Sequence, residues 1–386
     1  MNMIDVHIDG VIYAEVPLGG ISRMCSSIIN RLPDHNCRVH LYLPRAIRHD
    51  LVFDPRVKII KYPSNYRLRP GRLFNPLTEF LYRRRVDRMW SKARTGVFYS
   101  THFTTNSQIR LPQVVTVHDL FHECLPDCFS ENQLHPFSSR RRKCVEAADA
   151  IVCDSESTRA DLRRIFGERD VPSRVVQLAV DGRFRRLSRE NVSSNAVCEV
   201  AEGHLYVLYV GTRFPYKNFA GLLAGFACWS GRDTYRLVVI GKSATHAEKA
   251  QLRAYGLTDR VLFRGPLSDD DLIHAYNGAS AVVIPSLSEG FGLPLWEAMA
   301  CGVPVVAARA GALPEIGGDV PVYFDFGSPQ LLTEALAQAV AIPRDSPRLV
   351  RGVQLATART WDDVTREYVE VYRRLLATPR TEGRQV

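Results

Sequence analysis

The sequence predicts an α/β protein made of two doubly wound, Rossmann-like domains that face each other across a cleft. The chain has 386 residues, which is too long for one ordinary hydrophobic core and suits two domains. Short apolar runs alternate with helical patterns from end to end, as in parallel sheets covered by helices. One polar stretch with little periodicity, residues 183–203, interrupts this alternation near the middle of the chain.

In the first half, each predicted element follows from an apolar run or a helical repeat. Buried runs predict strands at Asp5–Asp9, Arg38–Leu43, Val57–Lys61, Gly96–Tyr99, Val114–Val117, Ala150–Cys153 and Val175–Leu178. Apolar residues at helical spacing predict helices at Gly20–Leu32, Leu73–Lys92, Leu134–Ala147 and Ser157–Phe166. We therefore assign residues 1–185 to an N-terminal domain.

The second half restarts the pattern. Strands are predicted within the runs "LYVLYVG", "RLVVIG", "RVLFRG" and "SAVVIPS", and helices from Asn218, near His246 and from Asp269. Residues 200–360 therefore form a predicted C-terminal domain. The last helical pattern, residues 361–380, carries an apolar stripe that must pack on another part of the protein.

Composition narrows the class of protein. A hydrophobic content of 46% with 24% charged residues is that of an ordinary globular protein. No apolar run approaches the ~18 residues that span a bilayer, and the first residues lack the pattern of a secretory signal, so we expect a cytoplasmic protein. The nine cysteines are odd in number and mostly embedded in apolar segments, which favours free thiols over disulfides or a metal site.

The net charge of +9 is concentrated in residues 67–94, where nine Arg and Lys face only Glu79 and Asp87. Apolar residues near helical spacing in this segment predict a basic amphipathic helix. Two interpretations stay open: contact with an anionic membrane surface or a phosphorylated acceptor, or a solvated face whose apolar stripe packs on the core. No nucleic-acid-binding motif accompanies the charge, which argues against a nucleic-acid partner.

The motif "SEGFGLPLWEA" follows a predicted strand and contains two carboxylates, Glu289 and Glu297. Gly290 and Gly292 allow close approach of the backbone to a ligand, beside the positive end of the next helix. Such N–H groups bind phosphate, and flanking carboxylates accept hydrogen bonds from sugar hydroxyls. In isolation the motif favours a simpler interpretation, with Glu289 capping the helix dipole and Glu297 in solvent.

Neighbouring residues favour a ligand site. In "VGTRFPYKN", Gly211 turns the chain after a strand, and Arg213 and Lys217 follow as two cations able to neutralise a diphosphate. From the first half, His118 follows the strand Val114–Val117, where the cleft is expected. The alternative for His118 is a structural histidine bonded to the backbone.

Two further patterns could contribute to ligand or metal binding. Gly19 and Gly20 open the first long helix and expose N–H groups at its end, although they match neither the GxGxxG nor the phosphate-loop pattern. Asp269 and Asp271 spell a DxD pair, but Ser268 precedes them as an N-cap and acids belong in a first helical turn. We therefore expect helix capping at Ser268 and no bound metal.

Together, "GTRFPYKN", "SLSEGFGLPLWEAMACGVPVVAA" and "VHDL" resemble the retaining glycosyltransferases of family 4, which have the GT-B fold. The similarity is strong over residues 205–345 and looser in the first half. Its most specific element is the E-x7-E signature from Glu289 to Glu297. The sequence departs from the family at Tyr216, where a cation is common.

The resemblance implies roles for the residues that match the family's motifs. Glu289 would lie by the donor sugar with His118, and Glu297 would bind the ribose of a nucleotide-sugar. Arg213 and Lys217 would bind the diphosphate, with Gly20 in the loop beside it. The implied donor-binding residues also include Gly19, Gly211, Gly290, Phe291, Gly292 and Leu293, with Gly265 near the base. It also implies metal-independent, cofactor-free transfer with retention, and a terminal helix that crosses back to the first domain.

The motif sequences are most similar to those of mannosyltransferases of bacterial polysaccharide synthesis. This implies a GDP-sugar donor and a glycan or lipid-linked acceptor at the cytoplasmic membrane face, with a UDP- or ADP-sugar as the alternative donor. A nucleotide-sugar epimerase or a glucan phosphorylase of the same fold lacks supporting motifs. A non-catalytic sugar-nucleotide-binding subunit is the alternative from another class.

Overall fold

In the computed structural model, the described residues are 3–16, 19–45, 47, 51–62, 88–104, 109–188, 190, 192 and 201–378, with only the backbone described for 131–136. Among them, no helix is both long enough and apolar enough to cross a bilayer. Eight cysteines lie in this part of the chain, and all are free thiols.

The first sheet has seven parallel strands in the order β3-β2-β1-β4-β5-β6-β7. They are β1 (Ile4–Asp9), β2 (Cys37–Pro44), β3 (Lys58–Tyr62), β4 (Val97–Ser100), β5 (Gln113–Val117), β6 (Ala150–Cys153) and β7 (Ser173–Val175). The central strands are buried along their whole length, as expected when helices cover both faces of a parallel sheet. The described helices of this half are α1 (Ile12–Glu15), α2 (Gly20–Arg31), α3 (Phe121–Cys124), α4 (Glu131–Ala147) and α5 (Glu156–Phe166), with 3₁₀ turns at Leu32–His35 and Pro126–Cys128.

The second sheet has six parallel strands in the order β10-β9-β8-β11-β12-β13. They are β8 (Leu205–Val210), β9 (Tyr235–Ile240), β10 (Val261–Arg264), β11 (Ala281–Ile284), β12 (Val305–Ala308) and β13 (Val322–Phe324). Its helices are α6 (Phe219–Cys228), α7 (His246–Ala254), α8 (Asp269–Gly278), α9 (Leu293–Ala300), α10 (Leu313–Gly317), α11 (Pro329–Val340) and α12 (Pro347–Thr357), with 3₁₀ turns at Pro215–Lys217 and Ser230–Asp233.

The predicted fold class, two doubly wound α/β domains, is confirmed. Each sheet reverses its strand order once, between β1 and β4 in the first domain and between β8 and β11 in the second. Ligands of open α/β sheets bind at the carboxyl ends of strands next to such a reversal. The loops after β1, β8 and β11 are therefore the expected positions for a binding site.

Two details differ from the sequence-based expectations. The strand predicted at Val175–Leu178 lies earlier in the chain, as β7 (Ser173–Val175). The Val176 N–H still bonds the Cys153 carbonyl (2.9 Å), and the chain then leaves this edge of the sheet. In the second domain, β12 and β13 extend the sheet beyond the four strands predicted there.

The last helix, α13 (Trp361–Ala377), lies against the first domain. It packs on α2 and on the 3₁₀ turn that follows α2. The hydroxyl groups of Tyr368 and Thr116 share a hydrogen bond of 2.9 Å in the core, and His35 pairs with Asp362 at 2.8 Å. Its apolar stripe therefore covers the first domain, although the chain reaches this helix from the second.

Most of the basic segment 67–94 lies outside the described residues, so the membrane interpretation stays a prediction. Its described end, residues 88–94, is partly buried. Trp90 packs against Tyr42 (ring centroids 4.2 Å apart) and edge-on against Phe98, while Arg88 and Lys92 are exposed. At this end the apolar residues pack on the core and the cations face solvent.

We expect Tyr368→Phe and Tyr372→Phe to affect stability differently. Tyr368→Phe removes the hydrogen bond to Thr116 and should lower the free energy of unfolding by about 1 kcal/mol. The Tyr372 hydroxyl is buried without a hydrogen-bond partner among the described residues, so its removal should leave stability unchanged or raise it. Urea unfolding of both variants measures the difference. An equal loss in the two variants would contradict this packing of α13.

Candidate active site

The candidate site lies where loops from both sheets meet at the carboxyl ends of their strands. The first domain contributes the start of α2 and the residues after β5. The second contributes the segment after β8 and the loop between β11 and α9. Sequence patterns locate each of these segments, but only the folded chain brings them together.

Glu289 lies in the loop after β11 and forms a partly buried ion pair. Lys217 Nζ donates to both of its carboxylate oxygens, at 2.7 and 2.8 Å, and Ser286 Oγ donates to Oε1 at 2.6 Å. Glu289 is 8% exposed. Its carboxylate does not cap α9, whose N-cap is Gly292. The capping interpretation of Glu289 is therefore wrong, because this carboxylate is committed to Lys217 and Ser286.

Lys217 is placed by a 3₁₀ turn, Pro215–Lys217, that ends at Asn218 in the left-handed conformation (φ 53°). Its ammonium also lies 5.3 Å from the centroid of the Tyr216 ring. Tyr216, the residue that departs from the expected cation, packs on Phe121 of the first domain with ring centroids 4.5 Å apart. Where the family commonly has a cation, this protein thus has an aromatic residue that contacts the other domain.

Arg213 is not brought into the Lys217–Glu289 pair. Its guanidinium donates to Glu248 (2.6 Å from Nε) and to the carbonyls of Lys242 and Ser243 (2.8 Å each), and its side chain is 6% exposed. The group also lies over the Phe263 ring. In this structure Arg213 ties α7 to the loop after β8, and its role at a diphosphate stays a prediction.

His118 follows β5 and is almost completely buried. Its Nδ1 is 2.8 Å from Oδ2 of Asp154, which follows the adjacent strand β6. Burial disfavours the charged imidazole, but the Asp154 carboxylate, together with smaller contributions from Asp119 and the Thr101 backbone, outweighs this effect, so the pKa of His118 is raised. Nε2 is buried without a hydrogen-bond partner among the described residues. This nitrogen is the ring atom that Asp154 does not engage.

At Gly290 the two domains approach each other closely. A Cβ at this position would lie 1.8 Å from the His118 carbonyl oxygen, so only glycine fits. Ser155 Oγ and Thr158 Oγ1 of the first domain donate to the Gly290 carbonyl, at 2.7 and 3.2 Å. These contacts hold the loop that carries Glu289 against His118.

Glu315 makes a second contact between the domains. Its carboxylate accepts the N–H groups of Glu156 (2.9 Å) and Ser157 (3.0 Å), at the start of α5 in the first domain. A carboxylate at this end of a helix satisfies N–H groups that have no partner within the helix and interacts favourably with the helix dipole. The second domain therefore caps a helix of the first.

The two helix starts predicted to bind a diphosphate face each other. A Cβ on Gly20 would lie 3.1 Å from Leu293 Cδ1, which places the start of α2 beside the start of α9. Gly292 precedes α9 with φ 90°, a conformation that favours glycine. The Gly19 N–H is engaged by Ser22 Oγ at 3.0 Å. Phe291 is buried against Trp296, so only its backbone can face a ligand.

Glu297 lies about one turn into α9 and is 3% exposed, so the alternative of a solvated carboxylate is wrong. Tyr276 Oη donates to Oε2 at 2.8 Å, and Arg23 of α2 donates to Oε1. Arg23 also reaches Asp269 at 3.2 Å. The second glutamate of the motif is therefore held by one residue from each domain.

The remaining predicted residues are placed as follows. Gly211 follows β8 with φ 136°, and Gly265 follows β10 with open space around its Cα. Ser268 caps α8 by accepting the Asp271 N–H (3.1 Å), as predicted, and Asp269 pairs with Arg23 and Arg183. Among the described residues, no group of three or more His, Cys, Asp or Glu side chains is arranged to hold a metal ion.

Several residues of the site were missed by the sequence analysis. Asp154 had a usable signal, since it directly follows a predicted buried strand in "AIVCDSES". Arg23, Ser155, Tyr276 and Glu315 had none, because their partners lie more than 20 residues away along the chain. Such contacts become visible only once the two sheets are in place.

Comparison with known proteins identifies the family. The family described as Glycosyl transferases group 1 matches residues 195–352, and Glycosyltransferase Family 4 matches residues 18–183. An O-antigen chain mannosyltransferase B from Escherichia coli is 28% identical over 272 residues, 68% of this chain and 70% of that protein. A D-inositol 3-phosphate glycosyltransferase from Acidothermus cellulolyticus is 31% identical over 255 residues, 62% of this chain and 56% of that protein.

Solved structures show the same architecture. A sucrose-phosphate synthase from Thermosynechococcus elongatus superposes with a TM-score of 0.79 at 20% identity, covering 97% of this chain and 99% of that one. An Anabaena protein solved in complex with UDP and glucose gives a TM-score of 0.70 at 18% identity, covering 95% and 99%. These two similarities concern the fold alone.

Two matching family regions together span both domains, and the fold agrees with that of solved structures. The protein therefore belongs to the family 4 glycosyltransferases (glycosyl transferases group 1) and has the GT-B fold.

Proposed function

We propose that this glycosyltransferase moves a hexose, with retention of anomeric configuration, from a nucleotide-sugar to a glycan or lipid-linked acceptor. The donor we favour is a GDP-sugar such as GDP-mannose, in the synthesis of a bacterial surface polysaccharide. The observation that carries the proposal is the ion pair of the buried Glu289 with Lys217, held against His118 at the contact between the domains.

Donor binding would use both sides of the contact. Lys217 and the backbone N–H groups near Gly290 and Gly292 would neutralise the diphosphate, together with the start of α2. Arg213 would join them only after exchanging its bonds to Glu248. Glu297 would accept hydrogen bonds from the ribose hydroxyls. In this proposal the diphosphate meets a cation and N–H groups, and the ribose meets a carboxylate.

The chemistry would rest on positioning and on stabilisation of the leaving group. The acceptor hydroxyl oxygen forms a bond to the anomeric carbon while the bond from that carbon to the diphosphate oxygen breaks. The hydroxyl proton passes to the leaving diphosphate, so no protein base is required. His118 Nε2 would bond a hydroxyl of the sugar, with Asp154 fixing the orientation of the ring. Lys217 would compensate the charge that develops on the diphosphate.

The mannosyl donor is supported by the similarity to the Escherichia coli mannosyltransferase. A UDP-sugar is the second candidate, favoured by the structural similarity to the Anabaena protein that binds UDP and glucose. A non-catalytic nucleotide-sugar-binding subunit would not need the contact of His118 with the loop that carries Glu289. We place the protein in the cytoplasm, with the basic segment 67–94 as the part that would meet an anionic membrane surface.

We expect Glu289→Gln to lower the rate of sugar transfer by at least about 100-fold, since the neutral amide cannot hold the Lys217 ammonium in place. Transfer of radiolabelled sugar from the donor to an extract of lipid-linked glycans measures the rate. The matched control is Glu334→Gln on the exposed face of α11, which should retain full activity. Equal activity of Glu289→Gln and wild type would reject this site.

We expect GDP to raise the melting temperature more than UDP or ADP at equal concentration. A ligand at 100 times its Kd adds about 2.7 kcal/mol to stability, so the preferred base shows as the largest thermal shift. A larger shift with UDP would replace the GDP-sugar by a UDP-sugar in this proposal. The absence of any shift with the three nucleotides would contradict a nucleotide-sugar donor.

We expect sugar transfer to persist in excess EDTA, because Lys217 and backbone N–H groups would take the role that a divalent cation has in other transferases. The measurement compares initial rates after dialysis against EDTA, with and without added Mg²⁺ or Mn²⁺. A loss of activity that either ion restores would show that the diphosphate is held through a metal.

A further inference from the structure

Arg23 is the described residue through which the first domain contacts the second glutamate of the E-x7-E motif. It lies one turn into α2 and donates from Nη2 to Glu297 Oε1 and from Nη1 to Asp269 Oδ1. Its guanidinium also lies 5.8 Å from the centroid of the Phe184 ring. A single side chain thus connects α2 with the two helices α8 and α9 of the other domain.

We propose that Arg23 is a positioning residue that orients Glu297 for the ribose of the donor. This inference rests on the proposed function, since it takes the ligand of Glu297 to be a nucleotide. It assigns part of ribose recognition to the first domain, because Arg23 reaches Glu297 only when the two domains are in contact.

The burial of Glu297 is the physical reason. A carboxylate that is 3% exposed needs a charged or hydrogen-bonding partner, because solvent does not compensate its charge. Tyr276 supplies one neutral hydrogen bond to Oε2. Arg23 supplies the charge that faces Glu297, and it leaves lone pairs of the carboxylate available for hydroxyl groups. Without Arg23, the charge of Glu297 has no cationic partner among the contacts described above, and only Tyr276 orients its carboxylate.

The geometry requires an arginine. The planar guanidinium donates from two nitrogens at fixed separation, which lets Arg23 bind Glu297 and Asp269 at once. A lysine keeps the charge but presents it as a single point, so it cannot hold both carboxylates in the same way. Arg23→Lys is therefore an informative intermediate between wild type and Arg23→Met.

Arg183 provides a matched control. It pairs with the same Asp269 (2.7 Å) and with Asp181, but no contact with Glu297 is found for it in the described structure. Its side chain is 52% exposed, compared with 40% for Arg23. Both arginines line one cavity of about 260 Å³ beside α2. Loss of Arg183 thus removes a second cation that pairs with Asp269 but leaves the contacts of Glu297 intact.

The test compares binding of GDP and of 2′,3′-dideoxy-GDP by calorimetry. UDP and its dideoxy analogue are used instead if UDP is the nucleotide that binds. In wild type we expect the dideoxy analogue to bind at least about tenfold more weakly, because it lacks the hydroxyls that Glu297 would hold. In Arg23→Met this ratio should fall to near one, through weaker binding of GDP with little change for the analogue. Arg23→Lys should lie between, and Arg183→Met should keep the wild-type ratio.

The outcomes separate this inference from the proposed function. Failure of every nucleotide to bind wild type would reject the proposed function itself. If wild type binds and discriminates, an unchanged ratio in Arg23→Met would overturn the role of Arg23 and leave the function standing. Equal binding of the two nucleotides by wild type would overturn ribose recognition at Glu297, and the role of Arg23 with it. Circular dichroism and melting curves identify a variant that fails to fold, in which case Arg23→Lys decides.

Discussion

The contact between Gly290 and His118 is the constraint on which the rest of the site depends. Only a residue without a side chain lets the loop after β11 approach the His118 carbonyl so closely. The hydroxyl groups of Ser155 and Thr158 then hold the Gly290 carbonyl from the first domain. Because Glu289 is the preceding residue, this approach also determines where its carboxylate and Lys217 lie relative to the first domain.

Four ion pairs around the cleft each have at least one buried partner, and the pairing determines the possible roles of these charges. Glu289 faces Lys217, His118 faces Asp154, Arg213 faces Glu248, and Glu297 faces Arg23. A buried ion pair contributes little net stability but is costly to break on one side, so each partner constrains the other. Arg213 illustrates the consequence, because its bonds to Glu248 must be exchanged before it can meet a diphosphate. Lys217 instead contacts the motif glutamate directly.

Much of the fold could be predicted because helix and strand periodicities are local properties of the chain. The strand Ala150–Cys153 was predicted with its exact bounds, and most other boundaries differ by one or two residues. The errors lie where tertiary contacts decide: β7 ends early at the edge of the sheet, and β12 and β13 were not predicted. Motif residues such as Glu289 and Lys217 were identified as a set, but their direct ion pair and the placement of Arg213 with Glu248 were not foreseen.

By itself, the sequence determined the two doubly wound domains, the family and the loops that carry the candidate site, because these follow from periodicity, strand-end motifs and spacing. Only the tertiary structure decided which charges meet. Arg23 and Glu297 lie 274 residues apart, and Ser155 and Gly290 lie 135 apart. No local pattern encodes such a contact, since it depends on how two separately formed sheets approach each other. The roles of Glu289 and Glu297 as buried, paired carboxylates are therefore properties of the assembled cleft.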